Sequence, residues 1–327
     1  MNVTDYHTAG EPFRIVTEGF PEIRGTTVAE RREYAMGSAD VDAIRQLLVN
    51  EPRGHADMYG GFVVPGNDDG AHLGVLFWHK DGYSTACGHG TIALGTWAVE
   101  SGRVPAPADG DTEVVIDVPS GRVVARVTCS GGAVDRVAFR NVPSYVDRRG
   151  VPVSTSRGEV QADISFGGAY YASVAASSVG LSVTPSNYVD LIAVGREIKW
   201  ALDSQTVHPT DPRLSGLYGT ILYDDLGQGA AGPHQRNVAV FADGEVDRSP
   251  CGSGTSARLA LLYDEGRIGP GQVLRHESIV GTTFLGRVVE EVAGGVVTEV
   301  EGAAYRTGTA TFTLDPRDPL GTGFTLR

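Results

Sequence analysis

Short runs of alternating apolar and polar residues recur along this chain: LGVLFW from Leu73, TEVVIDV from Thr112, RVVARVTC from Arg122, RVAFRNV from Arg136, NVAVFAD from Asn237, RVVEEV from Arg287 and TATFTLD from Thr309. Runs of this length, rich in β-branched residues, predict strands. Two segments break the pattern. Ile92 to Val99 and Ala257 to Tyr263 are mostly apolar, and each is followed by a glycine, Gly102 or Gly266, where a helix C-cap would fall. Because Ile92, Leu94, Trp97 and Val99 cover more than one face, the first of these helices is expected to be buried on most sides. Further helices are expected to pack outside near Asp42–Val49 and Asp190–Leu202, and Asp224–Gly232, DDLGQGAAG, is expected to be a long loop.

The two apolar helices belong to an internal repeat. Residues 87–104, CGHGTIALGTWAVESGRV, align without a gap on residues 251–268, CGSGTSARLALLYDEGRI, at an offset of 164, almost half of the 327-residue chain. Seven of the eighteen positions are identical: Cys87, Gly88, Gly90, Thr91, Ala93, Gly102 and Arg103 recur as Cys251, Gly252, Gly254, Thr255, Ala257, Gly266 and Arg267. A weaker match sets YHTAGEPFRIV, from Tyr6, against SFGGAYYASV, from Ser165, through shared small residues. Repetition at half the chain length predicts an α+β fold of two pseudo-symmetric lobes, each a sheet wrapped around a central helix. The lobes are expected to span 1–160, carrying Cys87, and 161–327, carrying Cys251, with the C-terminal strand free to return to the first lobe.

A cysteine at a helix N-terminus meets unpaired N–H groups and the positive end of the helix dipole, so both thiols are expected to ionise more readily than a free cysteine. Two such cysteines, one per lobe and facing each other, would remove a proton from one side of a substrate carbon and deliver one to the other. Gly88, Gly90, Gly252 and Gly254 would let backbone N–H groups turn toward a bound carboxylate and stabilise the charge that builds on it. The same text also spells the GxGxxA of a dinucleotide loop, but its duplication behind a cysteine is not how one dinucleotide site is built. Taken alone, each cysteine would read as a small buried hydrophobe, and Cys129 in its strand text keeps that reading. His89 reads as a binding residue or a core histidine. Asp247 reads as a ligand group, a cap or a partner of Arg248.

Composition narrows the rest. A net charge of −13 and a pI near 5.0 leave no basic patch for nucleic acid. Three cysteines are too few for a disulfide framework, and neither they nor the remaining histidines show metal-ligand spacing, so neither metal nor cofactor is expected. The start, MNVTDYHTAGEP, has neither a basic cluster nor an apolar run, and no segment approaches a membrane span. The expectation is a cytoplasmic protein with a small-molecule substrate.

With these residues in view, the chain resembles the proline racemases and their relatives, the hydroxyproline epimerases and trans-3-hydroxyproline dehydratases. The resemblance spans nearly the whole chain and rests on DYHTAGEPFRIV, EPRGHADMYGG, GYSTACGHGTIA, DISFGGAYYA, FADGEVDRSPCGSGTSA and DPLGTGFTLR. It implies a two-lobed fold like that of diaminopimelate epimerase, a homodimer, and no cofactor. It also implies Cys87 and Cys251 as catalytic residues, with His89 and Asp247 on the substrate ammonium. Gly88, Gly90, Gly252, Ser253 and Gly254 would take the carboxylate, and Tyr59 and Phe241 would lie against the pyrrolidine ring. Ala86 stands where the racemases usually have Met, Ser253 where Thr is common, and Tyr59 in place of a familiar Phe. Tyr59, LYGTI and the DGYST run look like the dehydratase branch, whereas Cys251 stands where that branch typically has Thr. The expected activity is racemisation or epimerisation of proline or a hydroxyproline, with dehydration of trans-3-hydroxy-L-proline as the alternative. A non-catalytic binding protein is a remote third reading, since it would have lost one cysteine.

Overall fold

The computed structural model describes residues 1–326. It divides into two compact units, Met1–Val137 together with the segment from Ala303 onward, and Ala138–Gly302.

The first unit opens with an antiparallel hairpin of β1 (Asn2–Thr8) and β2 (Glu11–Val16), turned at Ala9 and Gly10, where φ is 52° and 98°. Helices α1 (Val28–Gly37) and α2 (Ala39–Val49) follow. Then come β3 (Gly60–Val64), parallel to β2, β4 (Leu73–His79) and the two-residue β5 (Gly82–Tyr83). After α3 (Gly88–Glu100), β6 (Gly110–Val118) and β7 (Gly121–Ser130) form a second hairpin, and β8 (Ala133–Arg140) runs across the division between the units. Thr27 and Glu30 form a capping box at α1, so a T-x-x-E signal starts a helix whose charged text gives little apolar periodicity. Val28, Ala35, Val41 and Leu48 of α1 and α2 bury against Val16, Phe62, Leu76 and Trp78 of the sheet.

In the second unit β9 (Tyr145–Thr155), β10 (Gly158–Phe166) and β11 (Tyr170–Ala175) run antiparallel in succession, followed by α4 (Tyr188–Leu202). β12 (Leu217–Gly229) lies parallel to β11 and antiparallel to β13 (Gly232–Phe241), and β14 (Glu245–Asp247) leads into α5 (Gly252–Asp264). β15 (Leu274–Ser278), parallel to β13, continues into the antiparallel β16 (Thr283–Val292) and β17 (Gly295–Gly302). The last strand, β18 (Ala304–Thr311), belongs to the first unit, where it pairs antiparallel with β1, Asn2 opposite Thr311.

This is an α+β architecture in which the strands of each unit wrap around one helix. In each repeat copy the same eleven positions are buried, Gly88–Ala98 in α3 and Gly252–Leu262 in α5. α3 packs against β7, β1, β18 and β2, and α5 against β10, β17, β16 and β9. Fully burying side chains such as Ile92, Leu94, Leu259 and Leu261 contributes about 1.5–3 kcal/mol each. Gly102 (φ 72°) and Gly266 (φ 65°) close both helices in the left-handed region. The copies solve one packing problem differently. Gly95 of α3 lets Ala125 and Val127 come close, whereas in α5 its counterpart is Leu259 and the small residue is Gly286 of the facing strand.

Three expectations differ from the structure. A boundary at 160/161 would cut the β9–β10 hairpin, which pairs Gly158 with Thr155; the units divide at 137/138 and 302/303 instead. Asp224–Gly232 is no long loop, because β12 and β13 pair through it to Gly229 and Gly232, with a register shift between Asp225 and Gln228. The TATFTLD run is strand only to Thr311. The weak YHTAGEPFRIV/SFGGAYYASV match falls on corresponding hairpins, β1–β2 and β10–β11.

Candidate active site

Each repeat copy builds its own thiol environment. In the first unit Cys87 is the N-cap of α3, in extended backbone (φ −155°, ψ 104°), and its sulfur accepts the Gly90 N–H at 3.2 Å. Thr91 ties down the cap by donating both its N–H (3.0 Å) and its hydroxyl (2.8 Å) to the Cys87 carbonyl. A Cβ on Gly90 would stand 2.8 Å from Cys87 Sγ and 2.5 Å from the Phe13 ring, so only glycine leaves the thiol room over the first turn. The His89 ring nitrogens lie 3.4 and 3.6 Å from the sulfur. The imidazole is held edge-on by Tyr59 (centroids 5.0 Å, 78°) and Phe13 (5.9 Å, 79°), and Thr8 donates its hydroxyl to the His89 carbonyl. The Tyr59 hydroxyl shares a short hydrogen bond with Ser84. Cys87, Gly88, His89, Gly90 and Tyr59 are therefore one buried group.

In the second unit Cys251 caps α5 with φ 64° and ψ 103°. Asp247, at the end of β14, accepts the Ser249 N–H at 2.8 Å, and the Ser249 hydroxyl accepts the Cys251 N–H at 3.0 Å. The thiol donates to the Tyr171 hydroxyl at 3.6 Å. Tyr171 meets Tyr218 edge-on (5.7 Å, 78°), and Tyr218 stacks on Phe241 (5.4 Å, 13°). Phe241 thus stands at the far end of an aromatic row that begins at Cys251. Ser253, in the first turn of α5, is buried, and its hydroxyl has no hydrogen-bond partner among the described residues. A Cβ on Gly254 would lie 2.9 Å from Cys251 Sγ, repeating the Gly90 arrangement.

The expectation that both thiols ionise easily fails for Cys251. Burial, and then the neighbouring Asp247 charge, push this thiol well above the ordinary range, outweighing the helix N-terminus. Burial also raises the Asp247 carboxyl, to about 6. Arg248 donates to the Val246 carbonyl, while the Asp247 carboxylate turns back onto Ser249. Phe13, Ser84, Tyr171, Tyr218 and Ser249 were not singled out from the sequence. Tyr171 sits in the DISFGGAYYA text and Ser84 in GYSTACGHG, yet nothing in their residue types marks them until strand pairing brings them beside the thiols.

The proline racemase family matches residues 3–325 of the chain. The chain belongs to this family. Among its curated relatives is a trans-3-hydroxy-L-proline dehydratase of Burkholderia cenocepacia, 46% identical over 334 residues that cover 100% of this chain and 98% of the relative. A second of the same name, from Bacillus cereus, is 44% identical over 331 residues, 98% and 97% of the two chains. Among solved structures, a hydroxyproline epimerase of Agrobacterium vitis with bound trans-4-hydroxy-L-proline superposes with a TM-score of 0.91 at 31% identity, covering 100% of this chain and 95% of that one. Like other members of the proline racemase family, the protein is an enzyme. The relatives of this chain thus carry both a lyase and an isomerase name.

Proposed function

We propose that the enzyme dehydrates trans-3-hydroxy-L-proline, with Cys87 as the base that removes the α-hydrogen. The observation that carries this reading is the nearness of the dehydratases, 44–46% identical over almost the entire chain, against 31% for the epimerase structure. It replaces racemisation or epimerisation, expected from the paired cysteines, as the first reading.

The stereochemistry suits a single working thiol. In the trans isomer the hydroxyl and the carboxylate lie on opposite faces of the ring, so the α-hydrogen and the hydroxyl share a face. The Cys87 thiolate takes the α-proton, the electron pair forms the Cα–C3 double bond, and the C3–O bond breaks. The proton held by Cys87 leaves with the hydroxide as water, and the enamine product tautomerises to the cyclic imine. Atoms and charges balance without an added cofactor. Cys87 is the better base of the two because its sulfur accepts an N–H and stands beside His89, whereas Cys251 is held as a thiol. Backbone N–H groups at Gly88 and His89 would bind the carboxylate, and Tyr59 with Ser84 offers hydroxyl partners for the C3 hydroxyl.

Epimerisation remains as a second reading, favoured by Cys251 itself, because inversion needs a second thiol to protonate the opposite face. Asp247, Gly252, Ser253, Gly254 and Phe241 would then keep the binding roles that the family resemblance implies. Incubation with trans-3-hydroxy-L-proline, trans-4-hydroxy-L-proline and L-proline in heavy water, with products read by mass and chiral chromatography, separates the two. Loss of water from the 3-hydroxy substrate is expected; α-inversion of the others without any water loss would reverse the assignment.

A further inference from the structure

Cys251 has a backbone that its counterpart lacks. Its φ of 64° lies where non-glycine residues are strained and persist only when their surroundings hold them, whereas Cys87 caps α3 in ordinary extended conformation. A buried side-chain network behind Cys251 supplies the hold. The Asn237 amide nitrogen, on β13, donates to the Pro250 carbonyl at 3.0 Å and to His276 Nε2, on β15, at 2.8 Å, with a longer contact to the Glu277 carbonyl. Its amide oxygen has no partner among the described residues, so the nitrogen is the atom that faces these acceptors. Since His276 Nε2 accepts, Nδ1 carries the proton and donates to the Thr255 hydroxyl at 2.8 Å, which in turn donates to the Pro250 carbonyl at 3.2 Å. Two donors from different elements thus converge on the peptide bond that precedes Cys251. The Thr255 N–H donates to the Cys251 carbonyl at 2.7 Å and pins the other side.

We infer that Asn237, His276 and Thr255 are positioning residues that aim the Cys251 thiol by clamping the Pro250 carbonyl, without touching substrate. Burial drives the His276 imidazole down to about 3, so the relay keeps one proton arrangement through the working pH range. The clamp is peculiar to the second copy: in the first, Thr91 donates its hydroxyl to the Cys87 carbonyl itself and residue 86 is alanine. The inference rests on the second reading above, α-inversion, only for the effect on turnover, and its alkylation test can be read without turnover.

In the full-length protein, Thr255→Val keeps the volume and removes the hydroxyl, and Thr255→Ser restores it. The rates at which iodoacetamide alkylates Cys251 and Cys87 are measured in the same sample by peptide mass spectrometry, together with kcat, KM and Tm. A thiol displaced by as little as ~1 Å changes rates by up to about 100-fold. The expected result for Thr255→Val is alkylation at Cys251 faster by roughly fivefold or more, Cys87 unchanged within about twofold, and kcat for any α-inversion reduced about tenfold at nearly constant KM. Thr255→Ser should return all three toward wild type. If Thr255→Val does not fold, Thr255→Ala makes the same comparison. An unchanged Cys251-to-Cys87 ratio, a rise at both cysteines together, or a serine variant no better than valine would overturn the clamp. Absence of turnover with every proline would overturn the functional reading while the ratio still decides the clamp.

Discussion

Adding one methyl group at Gly254 tests whether a displaced thiol, and not a damaged fold, limits the reaction. A Cβ there would stand 2.9 Å from Cys251 Sγ, 2.9 Å from Ile221 Cδ1 and 3.2 Å from Cys251 Cβ. Carbon contacts settle near 3.5–4.0 Å, so the sulfur and the isoleucine methyl must each withdraw by roughly 0.5–1 Å. Both are ends of flexible side chains, and alanine is favoured over glycine in a helix by up to about 1 kcal/mol, which offsets much of the ~1–3 kcal/mol that overpacking costs. Gly254→Ala should therefore melt within a few degrees of wild type. A catalytic atom misplaced by ~1 Å costs about 100-fold in rate, or about 2.7 kcal/mol at 1.36 kcal/mol per decade. Gly90→Ala is the internal contrast. Its Cβ would meet the buried Phe13 ring at 2.5 and 2.9 Å besides Cys87 Sγ at 2.8 Å, and Phe13 is backed by Phe77, Tyr59 and His89. The ring cannot retreat, so this variant should lose about 1–3 kcal/mol of stability as well as activity. Thermal melts and kcat on trans-3-hydroxy-L-proline and trans-4-hydroxy-L-proline read both effects. If only Cys87 works, Gly254→Ala spares water loss from the 3-hydroxy substrate and suppresses any α-inversion. A Gly254→Ala enzyme with undiminished inversion would refute the need for a placed second thiol, and a fully active Gly90→Ala enzyme would refute the role given to Cys87.

Cys87→Ser should abolish water loss, whereas Cys251→Ser should retain part of it and lose any α-inversion; product analysis with the two substrates checks this, and equal loss in both variants would favour a two-thiol reaction. Tyr59→Phe removes the hydroxyl bonded to Ser84 and should lower kcat/KM for a hydroxylated ring about tenfold while sparing L-proline binding, since a lost hydrogen bond is worth roughly 1–1.5 kcal/mol. For Asp247 the folded-state value is raised, from 3.8 to about 6, so its stability penalty is absent below about pH 4 and grows until about pH 6. Asp247→Asn should accordingly match wild type in Tm at pH 3.5, exceed it increasingly up to pH 6, and hold a constant lead above; a gap that does not open over that window would contradict the buried charge. Activity should survive exhaustive dialysis against a chelator, and loss restored by a divalent metal would contradict a reaction carried by thiols.

The parts of the fold legible in sequence were those written in local pattern or in repetition. β4, β6, β7, β13 and β16 follow from β-branched alternation, and α3 and α5 from apolar text between a cysteine and a glycine. The hairpin at 224–232 was hidden because glycine and aspartate, which usually mark loops, here occupy a bulged pair of strands. α1 was hidden because its stability comes from a capping box and tertiary burial, not from apolar periodicity. Around the site, Cys87, His89 and Cys251 could be chosen because they are repeated or adjacent. Tyr171 and His276 could not, since what gives them a role is the pairing of distant strands. The Cys251 thiol shows the same limit in energy: the helix N-terminus is a local feature and visible, whereas burial and the Asp247 charge are properties of the finished fold.

The return of β18 to β1 gives the two units different histories on the ribosome. Residues 138–302 form a continuous stretch that has all its own strands once it has emerged. The first unit does not, because β1 waits for a partner encoded some 300 residues later, Asn2 for Thr311. Until then one edge of β1 is unpaired, the kind of edge that recruits wrong strands. The unit synthesised first is thus the one completed last, and a released chain terminated just after Gly302 should have a folded second unit and an open, aggregation-prone first one.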